Sequence, residues 1–175
     1  MLGAILYEAK KDPTLIIGGI VNKFNSNNIS GDGNIIVVEA DEFDRSFLSL
    51  KPTYSIINNL DLEHLDCYKD IEDLKKTFLE YANAIPFYGK IALNNDSKYL
   101  NDIIQDINKP ITTFGIDNKA DVKAEIISYS KNQSIFNIVT SNNPKMKIKL
   151  NSLGKHNIYN ALAALCAGIL SGIDR

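Results

Sequence analysis

Along residues 2–11 the apolar positions fall at 2, 5, 6 and 9, the spacing of one helix face, and Asp12-Pro13 ends the pattern. Residues 14–17 form a short β-branched apolar run that closes on Gly18-Gly19. Residues 22–33 are rich in Asn, Ser and Gly and predict a surface loop. Residues 34–38 and 54–57 read as strands, the first buried on both faces. Residues 70–84 predict a helix with Ile71, Leu74, Phe78 and Tyr81 on one side. A strand over 90–93, a helix over 97–107 and a strand over 111–114, closed by Gly115, continue the alternation. Strands alternating with helices predict an α/β domain: a mostly parallel sheet with helices on both faces. The pattern then changes. Residues 122–130, 134–140 and 145–150 are short alternating runs, divided by Lys131-Asn132 and Asn142-Asn143-Pro144. They predict a small antiparallel meander over about residues 121–150, attached to the same sheet. Residues 157–170 return to a helix rich in Ala and Leu.

The length, 175 residues with 45% apolar, suits one domain over residues 1–175 with a core of its own. The 19 basic and 21 acidic residues leave a net charge of −2, which argues against a partner bound by phosphate neutralisation, so no nucleic acid is expected. Lysine supplies all the cations except Arg45 and Arg175. The longest apolar run, residues 161–170, is half of what a membrane span needs, and no basic segment precedes the apolar start of the chain. A cytoplasmic chain with no membrane partner is expected, and Cys67 and Cys166, far apart, read as free thiols.

Ligands of parallel sheets bind beyond the carboxyl ends of the strands. Two such ends carry unusual residues. After residues 35–38 comes Glu39-Ala40-Asp41-Glu42-Phe43-Asp44. Four carboxylates in six residues repel one another unless solvated or neutralised, and a hard divalent cation such as Mg²⁺ is one counter-charge. After residues 54–57 comes Asn58-Asn59-Leu60-Asp61-Leu62-Glu63-His64-Leu65-Asp66, where His64 is either a surface residue or a ligand of metal or phosphate. A third segment, Gly154-Lys155-His156-Asn157-Ile158-Tyr159-Asn160, opens the last helix; Asn157 and Asn160 share a face and serve either as helix caps or as ligand contacts. The chain has no G-x-x-x-x-G-K-[ST] phosphate loop.

Read together, these segments resemble the Mur ligase family of peptidoglycan synthesis. Residues 39–48 are similar to its E-A-D-E-x-D-x-S-F-L segment, and residues 58–68 to its N-[IL]-[ED]-x-[DE]-H-x-D-x-Y segment. Ile85-Pro86-Phe87-Tyr88-Gly89 resembles L-P-F-Y-G, and Phe114-Gly115 with Ala120-Asp121-Val122 resembles the entry to the antiparallel strands. Residues 154–164 resemble G-x-H-N-x-x-N-A-L-A-A, and Asp12-Pro13-Thr14 with Gly18-Gly19 resembles the segment after the family's first helix. The resemblance runs in order along essentially the whole chain. It points to the central, ATP-binding domain, with the phosphate loop and the flanking N- and C-terminal domains lying outside these 175 residues.

Within the family, the alanine-adding ligases fit best. The alternative, the ligase that recycles a tripeptide onto the same sugar nucleotide, carries a longer insertion where residues 47–52 run directly to the next strand. The resemblance implies ATP-dependent ligation of L-alanine to the carboxylate of UDP-N-acetylmuramic acid through an acyl phosphate. It implies ATP and Mg²⁺ as cofactors, and UDP-N-acetylmuramic acid and L-alanine as partners. Carried over by position, Glu39 and His64 are the catalytic metal ligands, His156, Asn157 and Asn160 hold the adenine, and Gly18 and Gly19 approach the substrate. Without the phosphate loop, the isolated chain is expected to be inactive, to expose an unpaired strand edge and to carry an apolar surface patch. A nucleotide-binding module without turnover and a metal-dependent hydrolase built on Glu39, Asp41 and His64 are the competing readings.

Overall fold

The computed structural model describes residues 1–21, 26–61, 67–141 and 143–173. Helix α1 (Leu2–Glu8) leads into β1 (Thr14–Val21), which pairs antiparallel with β2 (Ser26–Ile29) and parallel with β3 (Ile36–Val38). The remaining strands form one six-stranded sheet in chain order: β4 (Tyr54–Ile57), β5 (Lys90–Asn94), β6 (Ile111–Gly115), β7 (Val122–Ser130), β8 (Gln133–Thr140) and β9 (Asn143–Leu150). The first three pairings are parallel and the last two antiparallel, so the expected sheet and meander are one continuous structure.

Helix α2 (Ile71–Ala84) connects β4 to β5, and α3 (Lys98–Ile103) connects β5 to β6. Asp70 caps α2 by accepting from the Asp73 amide at 2.9 Å. These helices cover one face, where Leu74, Tyr81 and Leu100 pack on Ile57, Ile91 and Leu93. Helix α4 (Lys155–Leu170) covers the other, where Ile158, Leu162 and Cys166 pack on Ala92, Phe114 and Phe136. Strand β5 supplies both layers: Ile91 and Leu93 face α2, Ala92 faces α4, and all three are 0% exposed. Burying each large aliphatic side chain contributes about 1.5–3 kcal/mol, so the two layers hold β4–β7 between them.

Three expectations change. The Asn-rich stretch 22–33, expected as loop, contains β2, whose backbone pairs Leu15 with Ile29 and Ile16 with Asn28. Its polar side chains gave no apolar period to read. Residues 97–107 are not one helix: α3 ends at Ile103 and tightens into a 3-10 turn over Ile104–Asp106, before Pro110 leads into β6. Strand β3 is not buried on both faces, since Ile36 is 65% exposed and Val38 42%. Both lie beside β1, which carries Ile16, 46% exposed, in register with Val38. The expected apolar patch is this face. Among the described residues the edge strands are β2 and β3 in the small sheet and β4 and β9 in the large one.

Candidate functional site

Because β4 and β5 are parallel, their carboxyl ends meet at one edge of the sheet, and the first turns of α4 lie over that edge. An open pocket of about 300 Å³ forms there. Asn58 and Asn59 follow β4, Asn94, Asp96 and Ser97 close β5, and His156, Tyr159 and Asn160 come from α4. The strand ends are locked together: the Asn94 carboxamide donates to the Asn58 carbonyl at 2.9 Å and accepts from the Asp96 amide at 3.0 Å. Among the described residues, neither lysine nor arginine lines this pocket. Its carboxamides and imidazole suit a neutral, flat group with donors and acceptors on its rim better than a phosphate.

Asp96 is the hub of the pocket wall. Its carboxylate accepts from the Ile116, Asp117 and Asn118 amides at 2.5, 3.0 and 2.7 Å, and from the Tyr159 hydroxyl at 2.8 Å. Burial alone would raise the Asp96 carboxyl; the four donors outweigh it and hold it below the usual carboxylate range. Burial, and then the bond to Asp96, push the Tyr159 hydroxyl well above its ordinary value. Gly115 makes room for this arrangement, because a Cβ there would lie 3.1 Å from the Asp96 carboxylate. Lys155 ties the same turn to α4 through Asp117 at 2.6 Å.

The start of α4 depends on Gly154. Its φ of +97° is a conformation that favours glycine, and a Cβ there would meet the His156 ring at 2.6 Å. His156 and Asn160, both expected at the base site, face the pocket together. Asn157 sits beside them but turns its carboxamide to the Leu153 carbonyl at 2.8 Å and to the His156 Nε2 at 3.1 Å.

Glu39 stands at the end of β3. Its amide donates to the Ile16 carbonyl at 2.9 Å, and its Oε2 accepts from the Gly18 amide at 2.7 Å. The structure therefore brings Glu39 and Gly18 together, while a Cβ on Gly19 would meet nothing within 4 Å. Asp41 and Asp44 close local turns by accepting from the Phe43 and Ser46 amides, each at 2.9 Å. The bonds from Ser46 hold the Asp44 carboxyl below its ordinary value. Among the described residues, no cluster of three or more His, Cys, Asp or Glu could cage a metal. One carboxylate oxygen from Glu39 is still a suitable donor for Mg²⁺, which takes one or two carboxylates and completes its shell with phosphate and water. His64 lies outside the described residues.

Sequence reasoning missed Asp96, Tyr159 and Asn94. A signal was present, since Asn94-Asn95-Asp96-Ser97 follows a buried strand of a parallel sheet, the position where ligands are met.

These features define an α/β domain with a polar pocket at the carboxyl edge of a parallel sheet. Residues 21–168 match the Mur ligase middle domain, and the chain belongs to the Mur ligase family. It is 42% identical over 173 residues to a UDP-N-acetylmuramate–L-alanine ligase of Chlorobium phaeobacteroides, covering 99% of this chain and 37% of that protein. The fold matches the crystal structure of UDP-N-acetylmuramate-alanine ligase from Thermotoga maritima with a TM-score of 0.82 and 24% identity, over 99% of this chain and 38% of that one. It also matches the ligase that joins UDP-N-acetylmuramate to L-alanyl-gamma-D-glutamyl-meso-diaminopimelate in Neisseria, with a TM-score of 0.84 and 24% identity, over 99% and 57% of the two chains. The chain thus spans little more than a third of the length of the curated relative.

Proposed function

We propose that this chain is the central domain of an ATP-dependent ligase that joins L-alanine to the carboxylate of UDP-N-acetylmuramic acid, a cytoplasmic step in making peptidoglycan precursors. The observation that carries this reading is the carboxamide-lined pocket between the ends of β4 and β5 and the first turns of α4. Identity of 42% to an alanine-adding ligase supports it over the tripeptide ligase. No helix among the described residues is long and apolar enough to cross a membrane.

In this reading the adenine lies in the pocket. Asn160 presents a carboxamide donor and acceptor to its edge, and His156 offers a flat face or a hydrogen bond. Asn157 supports His156 through its contact at 3.1 Å. Glu39, oriented by the Gly18 amide, would hold a Mg²⁺ ion and His64 a second metal ion, which would supply neutralisation of phosphate charge. Gly19, where a Cβ would meet nothing within 4 Å, leaves the backbone open to the sugar-nucleotide substrate, and Gly18 beside it lets the Glu39 carboxylate come close. The substrate carboxylate attacks the terminal phosphorus of ATP, giving an acyl phosphate and ADP; the alanine amine then displaces phosphate. The chain's own contribution is positioning, which dominates phosphoryl transfer.

The test is phosphate release that requires both UDP-N-acetylmuramic acid and L-alanine, measured on a protein carrying this chain at its relatives' full length. Asn160→Ala is expected to raise KM for ATP about tenfold while leaving KM for L-alanine unchanged. An unchanged KM for ATP would overturn the assignment of the pocket.

A further inference from the structure

Arg45 is one of two arginines in the chain, and its backbone is left-handed, with φ of +60°, unusual for a residue with a side chain. Such a conformation persists where the surroundings hold it, and here they do. The guanidinium meets the Asp73 carboxylate at 2.6 Å and donates to the Cys67 carbonyl at 3.0 Å and the Thr77 hydroxyl at 3.4 Å. It also lies over the Tyr68 ring, 4.8 Å from the centroid. Tyr68, 1% exposed, in turn donates its hydroxyl to the Glu42 carbonyl at 2.6 Å.

The loop over residues 39–45 is therefore fixed at three points. Its start is held by the Glu39 amide on Ile16, its middle by Tyr68 on Glu42, and its end by Arg45 on α2. Two of these anchors run through the Arg45–Tyr68 pair. Tyr68 of that pair follows, in sequence, the segment that carries His64. A lysine could keep the charge, but as a point donor it could not reach Asp73, Cys67 and Thr77 together as a planar fork does.

We propose that Arg45 is a positioning residue that clamps the acidic loop to α2 and to the Cys67–Tyr68 turn, and so sets where Glu39 presents its carboxylate to a divalent cation. This rests on the role given above to Glu39. Two readouts separate the two ideas. The first is amide hydrogen exchange over residues 40–47, measured on a protein carrying this chain at its relatives' full length. Arg45→Gly keeps the left-handed backbone and removes the fork; it is expected to speed exchange there about tenfold or more, and Arg45→Lys to do nearly the same. Tyr68→Phe, which removes only the bond to Glu42, is expected to speed exchange at residues 41–43 and serves if Arg45→Gly does not fold. The second readout is the Mg²⁺ concentration for half-maximal activity at the relatives' full length. It is expected to rise about tenfold in Arg45→Gly, with KM for L-alanine within about twofold of the parent. Exchange like the parent's in Arg45→Gly or Tyr68→Phe, or parent-like exchange in Arg45→Lys, would overturn the clamp. If Glu39→Gln leaves the Mg²⁺ requirement unchanged, the ligand role of Glu39 fails, while the exchange experiment still decides on Arg45.

Discussion

Replacing Asp96 by asparagine is the most informative single change. The carboxylate serves four donors, three on Oδ2 (Ile116 amide, Asp117 amide and Tyr159 hydroxyl) and one on Oδ1 (Asn118 amide). Asparagine has one oxygen. In its better orientation that oxygen replaces Oδ2, and the new NH₂ is pushed against the Asn118 amide, donor to donor. One bond is lost and three fall from charged to neutral acceptors. Hydrogen bonds to charged groups contribute about 1.5–3 kcal/mol each and neutral ones about 0.5–1.5. The raw sum is about 4.5–7.5 kcal/mol; Asp96 is half-buried, so solvent screening reduces it to about 2–3. In a domain of this length that lowers Tm by about 5–10 °C. Tyr159→Phe deletes one of the four bonds and is expected to cost about 1 kcal/mol. The two changes share a bond, so the double variant should lose less than the sum, by about 0.5 kcal/mol. Thermal unfolding followed by circular dichroism measures all three. A Tm for Asp96→Asn within about 2 °C of the parent would refute the reasoning. So would strict additivity with Tyr159→Phe.

The same hub predicts a pH effect. The Asp96 carboxyl is lower in the folded chain than in the unfolded one, so its stabilisation is complete above the ordinary aspartate value of about 3.9 and is lost as pH falls through and below it. The gap in Tm between the parent and Asp96→Asn should therefore narrow below about pH 4, and a gap that stayed constant would contradict the assignment. Gly115→Ala should destabilise by about 1–3 kcal/mol, because its Cβ meets a carboxylate that four hydrogen bonds keep from moving aside; chemical denaturation reads it as a lower midpoint with unchanged slope. Leu93→Ala, at a site 0% exposed between β5 and α2, should cost about 2–5 kcal/mol in the same experiment. Gly33→Ala should loosen the entry to β1, since its Cβ would lie 1.9 Å from the Lys11 carbonyl. Faster exchange at the Gly33 amide, which donates to the Asp12 carbonyl at 2.8 Å, is the expected sign.

The alternation of strands and helices was legible because the elements that matter are buried on a regular period. Strand β5 is apolar at every position from Ile91 to Leu93, and α2 repeats its apolar residues at 71, 74, 78 and 81. What escaped is what leaves no period. Strand β2 pairs through backbone atoms that any side chain can carry, so an Asn-rich strand reads as loop. Strand β3 reads as buried because Ile36 and Val38 are apolar, yet burial needs a partner as well as a side chain, and on that face the described residues provide none.

The candidate site divides in the same way. Glu39, His156 and Asn160 could be named as candidates because their chemistry is concentrated in local motifs. Asp96 and Arg45 were missed because what each does is spread over distant parts of the chain. Asp96 joins a strand end to a turn 20 residues later and to a helix 63 residues later. Arg45 joins its loop to residues 22, 28 and 32 positions further on. Neither is adjacent in sequence to anything it holds. The pocket-lining candidates are short-range in sequence because they come from a few strand and helix ends. The groups that hold those ends together need only reach across the fold, so they follow topology rather than motif. In a parallel sheet the place to look for them is the residue or two after each buried strand, where the side chain leaves the core and the backbone has unpaired amides to satisfy. Asp96 stands two residues after the end of β5, and the three amides it accepts from belong to the turn after β6.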